Sequence, residues 1–151
     1  MTKEWGPPTW YLFHTLAEKI IDEQFDKLKM KLFDIIKLIC SNLPCPDCSG
    51  HAISILNNVN PNTIRSKEHF KEFLLWFHNE VNKKTQKPQF TLEELNAKYK
   101  LAKTYGIVQY FVQVWRKRSH NPKLMALDLH KSRAVTQFIS WWKENYIHFH
   151  V

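Results

Sequence analysis

Cys45-Pro46-Asp47-Cys48 sets two thiols two residues apart. At a helix start this spacing lets the sulfurs meet in a disulfide. It also places a thiolate at the positive end of the helix dipole, which lowers its pKa and activates it. On its own the motif leaves three readings: a redox disulfide, half of a zinc site, or coincidence. A thioredoxin-like redox motif wants a βαβ setting, which the flanking sequence lacks. Zinc needs ligands beyond Cys45, Cys48 and His51, and no second CxxC or HxxxH follows, so no metal site is expected. Haem attachment needs His directly after the second cysteine, and position 49 is Ser. Cys40 continues the apolar stripe of Ile36 and Ile39 and reads as a buried, inert thiol. An odd, local set of 3 cysteines is no disulfide framework for a secreted mini-protein.

Two further pairs lie one helical turn apart, Trp10 with His14 and His78 with Asn82. Each reads either as core or as one face turned to a ligand. His51 reads equally as a neighbour of the disulfide or as a surface residue. The elements carrying these residues all have helical spacing. Pro7-Pro8 opens a helix over 7–23, and a second runs from about 27 to 42. A third begins near Pro46 and ends at the turn 57–62. Ser66 caps a fourth, with the stripe Phe70, Phe73, Leu74, Phe77 and Val81. Thr91 and Glu94 form a capping box that opens a fifth helix reaching about Arg118. After a turn at His120-Asn121-Pro122, a sixth covers 128–145 with Val135, Phe138, Ile139 and Trp142 inward. Trp141, Trp142, Tyr146 and Phe149 read as packing for that helix. The expectation is an all-α fold, a four-helix bundle plus a short helix, with an additional C-terminal helix.

The 151 residues suit one domain with an appendage, and an apolar share of 44% is ample for a core. With 3 Gly and 7 Pro the chain is short of turn formers, which speaks against sandwiches and barrels. No apolar run reaches the roughly 18 residues of a membrane span, and the opening residues lack a secretory pattern. A cytoplasmic protein is expected. The net charge of +8 is spread along the chain, densest at Arg116-Lys117-Arg118. It suits an anionic cofactor or partner and makes a nucleic-acid surface the lesser reading.

Three segments in order resemble one family. Residues 5–17 read Trp-Gly-Pro-Pro-Thr-Trp-Tyr-Leu-Phe-His-Thr-Leu-Ala, residues 43–51 read Leu-Pro-Cys-Pro-Asp-Cys-Ser-Gly-His, and residues 78–82 read His-Asn-Glu-Val-Asn, followed by Lys87-Pro88-Gln89-Phe90. They resemble the Erv/ALR family of FAD-linked sulfhydryl oxidases over about residues 5–115, most of all the compact forms carried by large cytoplasmic DNA viruses. The resemblance implies an FAD-dependent thiol oxidase. In it a substrate dithiol reduces the Cys45–Cys48 disulfide, and electrons pass to FAD and then to oxygen as hydrogen peroxide. Cys45 would be the sulfur attacked and Cys48 the flavin-proximal one. Gly6, Trp10, His14, His78, Asn79, Val81 and Asn82 match cofactor contacts, and Lys87 a pyrophosphate contact. Lys98 and Tyr99 stand where the family usually has Arg-Trp. A homodimer is implied, along with a dithiol protein substrate.

The chain departs from the family pattern in two respects. Leu75 and about Leu92 stand where many members carry a structural cysteine pair, so packing is expected to replace that staple. No shuttle CxxC exists outside 40–48, which points to a separate, thioredoxin-like carrier. The rival from another class is a helical zinc or interaction module whose CxxC is structural. Residues 1–118 read as the oxidase domain and 119–151 as a C-terminal helical extension serving partner binding or assembly.

Overall fold

Proline has no N–H to lose in a first helical turn, and Pro7 and Pro8 open the first helix where the sequence puts them. The computed structural model describes residues 3–118 and 121–151. It contains α1 (Gly6–Lys19), α2 (Phe25–Ser41), α3 (Pro46–Leu56), α4 (Lys67–Lys84), α5 (Leu92–Lys100), α6 (Thr104–Trp115) and α7 (Met125–Asn145), with short 3-10 turns between some of them. Among the described residues there is no strand, only an isolated antiparallel bridge between Ile20 and Phe149. The expected all-α class is what the chain adopts. Ser66 caps α4 by accepting from the His69 amide, and Thr91 and Glu94 close the capping box of α5.

Three boundaries differ from the sequence reading. The first helix stops at Lys19 rather than 23, because Ile20 and Ile21 are extended and pair with the far end of the chain. The Ile21 amide donates to the His148 carbonyl at 2.9 Å and the His150 amide to Lys19 O at 2.6 Å. The single helix expected from Thr91 to about Arg118 is two, broken at Leu101–Lys103. The Thr104 hydroxyl and amide reach back to the carbonyls of His150 and Val151, which starts a new helix there. The last helix begins at Met125 instead of 128, after a 3-10 turn in which Asn121 Oδ1 accepts from the Lys123 amide. Met1, Thr2, Ser119 and His120 lie outside the described residues, and with them part of the expected 120–122 turn and the expected boundary at 118/119.

α1 runs through the middle of the bundle against α4, α5 and α6, while α2 packs on α3 and α7. Leu12, Phe13, Leu16 and Ala17 of α1 are buried, as are Leu32, Ile36 and Ile39 of α2 and Phe70, Leu74 and Phe77 of α4. Leu75, at the expected staple position, lies half-buried on α4, while Leu92 is half-buried at the start of α5. The indole of Trp115, fully buried, donates to Thr9 Oγ1 at 2.8 Å, and that hydroxyl donates to Trp5 O at 2.6 Å. One hydrogen-bonded chain thus ties α6 to the entry of α1.

α7 belongs to the same core. Ala134, Val135, Phe138 and Trp141 join the cluster that contains α1 and α2. The inward face is rotated from the expected one: Trp141 is buried, whereas Ile139 and Trp142 are half-buried at its edge. Phe138 meets Phe111 edge-on at 5.4 Å between centroids, and Phe149 packs on both tryptophans while Tyr146 stays exposed.

Truncating the fully buried Phe138 to Ala is therefore expected to cost about 3–5 kcal/mol in urea unfolding, the range for large core aromatics. Leu129→Ala, on the exposed side of the same helix, should stay within about 0.5 kcal/mol. Equal, small effects would show that α7 is an appendage rather than core.

Candidate active site

α3 places the two cysteines. Pro46 occupies its first turn and Cys45 is its N-cap, with Cys45 Sγ accepting from the Cys48 amide at 3.3 Å. The sulfurs are joined in a disulfide with the Cα atoms 5.2 Å apart. Ser49 fixes the approach to this turn: its hydroxyl accepts from the Leu43 amide at 3.1 Å and its own amide donates to Cys45 O at 3.0 Å. Both cysteines are half-buried, and Cys48 packs against the main core. Sulfurs bonded to each other are not the thiolate pair that zinc requires. Among the described residues no group of three or more His, Cys, Asp or Glu is placed to hold a metal ion.

A lysine that sequence reasoning missed reaches this disulfide. Lys3 Nζ lies 3.0 Å from Cys45 Sγ and 2.9 Å from Cys48 Sγ. Its contacts span more than forty positions of chain, and it carries no periodicity that would single it out. Beside the same turn a cleft of about 310 Å³ opens between Trp5, Pro44, Val114 and the Leu124–Leu127 end of α7. Lys117, Arg118 and Lys131 stand on its rim, with Lys117 paired to Glu4 and Lys131 to Asp128.

The second assembly is a wall of aromatic and imidazole rings drawn from three helices. Trp10 stacks on His78 at 3.9 Å with the planes 5° apart, and lies 5.8 Å from His14. His14 Nε2 and His78 Nδ1 share a hydrogen bond of 2.9 Å. Tyr99 closes one side at 5.1 Å from His14, and Phe90 the other at 4.8 Å from His78. Lys98 lies over the rings of Tyr11 and Tyr99 at 4.7 and 5.5 Å. Burial, with Tyr11 beside it, pushes the Tyr99 phenol up and keeps it neutral. His14 Nδ1 is buried with no hydrogen-bond partner in the chain, as is Asn96 Oδ1 nearby. Buried polar atoms are rarely left so; the wall holds hydrogen-bonding capacity that the chain itself does not use.

The remaining residues named from the sequence divide. Asn79 makes a two-way clamp on the loop after α4, donating to Phe90 O at 3.0 Å and accepting from the Phe90 amide at 2.9 Å. The Asn82 side chain donates to Pro88 O at 3.0 Å, and the Asn82 main-chain carbonyl accepts from the Lys87 amide at 2.8 Å. The only positive-φ residue outside glycine among those described, Gln86 at 59°, turns the chain between them. These amides hold the loop that presents Lys87 and Phe90, a role that sequence reasoning did not assign to them. Val81 is half-buried against the core. Gly6 begins α1, where an added Cβ would meet nothing within 4 Å, so no close approach inside the chain requires glycine there. His51 is half-buried and under the fields of Lys84 and Glu80 of α4; burial and Lys84 lower its pKa. Cys40 is buried, and burial pushes its thiol far up.

Burial, then His78 and Lys98, holds His14 well below the ordinary histidine range. His78 is held down to about 3 by burial and then by Lys98 and Lys87. Unfolding returns both to about 6.5, so below that pH the unfolded chain binds more protons than the folded one. Stability is full above about pH 6.5 and falls as pH drops toward about 3, by up to about 1.4 kcal/mol per unit for each imidazole. Urea midpoints taken at pH 7, 6 and 5 should decline in step. A flat series would mean that the pair accepts protons without cost.

The disulfide at a helix start and the ring wall beside α4 can be set against known proteins. The chain matches the model of the Erv1 / Alr family over residues 7–100. It is 31% identical over 97 residues to "FAD-linked sulfhydryl oxidase ERV1" of Oryza sativa subsp. japonica, covering 64% of this chain and 50% of that protein. It is 33% identical over 115 residues to "FAD-linked sulfhydryl oxidase" of African swine fever virus (isolate Pig/Kenya/KEN-50/1950), covering 74% and 95%. "Putative FAD-linked sulfhydryl oxidase 347L" of Invertebrate iridescent virus 6 is 29% identical over 90 residues, covering 56% and 81%. The chain spans about half the length of the plant relatives it matches. No solved structure matches it. The family match covers the turn that holds both cysteines and every residue of the ring wall, and this chain belongs to the Erv1 / Alr family.

Proposed function

We propose that the protein is an FAD-dependent thiol oxidase that forms disulfide bonds in dithiol substrates. The observation that carries this reading is the Cys45–Cys48 disulfide capping α3 in a helical chain of this family. The names of the plant and viral relatives support the cofactor. The alternative, a structural zinc CxxC, is disfavoured by the bond between the two sulfurs.

The residues present fit FAD. Trp10, His14, His78 and Tyr99 offer flat faces for its ring systems, and the unpartnered His14 Nδ1 offers a polar contact. Because both imidazoles are held neutral, they bring no charge against those rings. Lys87 and Lys98 would face the pyrophosphate as point charges, with Asn79 and Asn82 setting the loop that carries Lys87. Gly6 and Val81 would border the site. When bound, FAD supplies a two-electron acceptor that thiols reduce and oxygen reoxidises, with hydrogen peroxide as the product.

The chain's own part is thiol–disulfide exchange. A substrate thiolate attacks Cys45, a new bond forms between them, and the Cys45–Cys48 bond breaks with Cys48 leaving. The second substrate thiolate then attacks the mixed disulfide, so the substrate leaves as a disulfide and both cysteines are reduced. The packing of Cys48 against the core suits it to the inner role and Cys45 to the outer one. The substrate is a protein dithiol, presented by a small thioredoxin-like carrier. The active unit is a homodimer, with the 1–118 segment as the catalytic part. No helix is long and apolar enough to cross a membrane among the described residues.

Purified protein should be yellow with flavin absorbance. Cys45→Ser and Cys48→Ser should each reduce dithiothreitol-dependent oxygen consumption to background, while Cys40→Ser keeps most of it. Full turnover in either of the first two variants would remove the assignment. His78→Ala with Asn82→Ala should release FAD while far-UV circular dichroism remains helical. The variant should also lose the stability that a ligand of the folded state confers. Flavin retained at the wild-type ratio would assign those residues to packing alone.

A further inference from the structure

The oxidase reading leaves one group beside the disulfide unexplained. Lys3 Nζ is within 3.0 Å of both sulfurs, in a segment that precedes the first helix. A disulfide sulfur is a weak hydrogen-bond acceptor and carries no charge, so this contact does little in the oxidised state. A thiolate at the same place is a full anion, and a lysine beside it is one of the arrangements that lower a thiol's pKa. The contact is worth most when the bond is open.

The backbone holds Lys3 to this task. The Gly6 amide donates to Lys3 O at 3.1 Å, closing a turn onto the start of α1. The ammonium also lies 5.5 Å from the centroid of the Trp5 ring. The neighbouring acid, Glu4, is occupied by Lys117 of the segment after α6 and does not compete for Lys3. The other charges near the turn are Asp47, an exposed acid in the first turn of α3, and Arg118 on the rim of the cleft. Asp47 disfavours a thiolate, and the α3 N-terminus favours one. Among the described residues, Lys3 is the cation in contact with the sulfurs.

We infer that Lys3 is a catalytic residue of the exchange step, the counter-ion that holds the thiolate released when the Cys45–Cys48 bond opens. The inference rests on the reading of that disulfide as the exchange centre. In the step, a substrate thiolate bonds to one sulfur, the other leaves with the electron pair of the broken bond, and Lys3 stays protonated opposite that charge. The second substrate thiolate then bonds to the first substrate sulfur and displaces the protein cysteine from it, so the substrate leaves as a disulfide, two electrons have passed to Cys45 and Cys48, and Lys3 faces the thiolate that remains. Its equal reach to both sulfurs lets it serve whichever one carries the charge.

The test uses the full chain, reduced, desalted and kept free of oxygen. Iodoacetamide alkylation of Cys45 and Cys48 is followed by mass spectrometry across pH in the wild type, Lys3→Met, Lys3→Gln and Lys3→Arg. Loss of the cation should move the alkylation midpoint up by about one pH unit and slow the reaction about tenfold below it. The dithiol–disulfide equilibrium with glutathione should shift by a similar factor toward the disulfide. Lys3→Arg, which keeps the charge, should restore both to within about twofold. An unchanged midpoint in Lys3→Met and Lys3→Gln overturns the inference. So does an equal shift in Lys3→Arg, which would mark a steric role. Neither readout needs turnover with oxygen, so failure of the oxidase reading would show separately, as activity surviving in Cys45→Ser.

Discussion

Everything in this protein leans on α1. Its inner residues Leu12, Leu16 and Ala17 are at most 1% exposed, so a single helix must be covered on nearly every side. α4, α5 and α6 supply that cover, and the ring wall exists because they do. Trp10 and His14 project from α1 into the gap where α4 and α5 meet it, and His78 and Tyr99 arrive from those helices. The same helix begins at the disulfide, through the Lys3–Gly6 turn, and ends at the chain's last residues, through the pairing at Ile20. The two halves of the candidate site are thus mounted on one rigid rod.

Several amides and hydroxyls inside this arrangement hold backbone in place: Thr9 the Trp5 carbonyl, Ser49 the approach to Cys45, and Asn79 and Asn82 the loop after α4. Each such bond contributes only about 0.5–1.5 kcal/mol net, but a partner lost from a buried site costs more. The two imidazoles pair with each other instead, His14 Nε2 with His78 Nδ1, and His14 Nδ1 is left without a partner in the chain.

What was legible in the sequence was local. Capping by Ser66, the Thr91–Glu94 box and the prolines at α1 and α3 are contacts within a few residues, and each lies where its chemistry puts it. Long-range bonds were not legible. Nothing near Lys19 or Leu101 says that a helix must stop there; the reason lies at residues 148–151, which bind the end of α1 and the start of α6. Lys3 was missed for the same reason, as its partners are over forty residues away. For the site, the spacing of Trp10 with His14 and of His78 with Asn82 was visible, and the structure joins three of the four in one wall. Asn82 instead fastens the Pro88 loop, a partner that helical spacing cannot reveal.

Cys40 lies five residues before the Cys45–Cys48 disulfide, close enough in sequence to form a wrong bridge with either cysteine. Exchange demands a thiolate and an open line of attack, and its position on the inner stripe of α2 denies both. The thiol is enclosed among apolar neighbours, and burial holds its proton on far above neutral pH. Mispairing of 40 with 45 or 48 therefore requires α2 to come away from the core first. The fidelity of the Cys45–Cys48 pairing is set by the stability of the hydrophobic core, and a mutation that loosens α2 would be expected to surface as scrambled disulfides before it surfaces as lost helix.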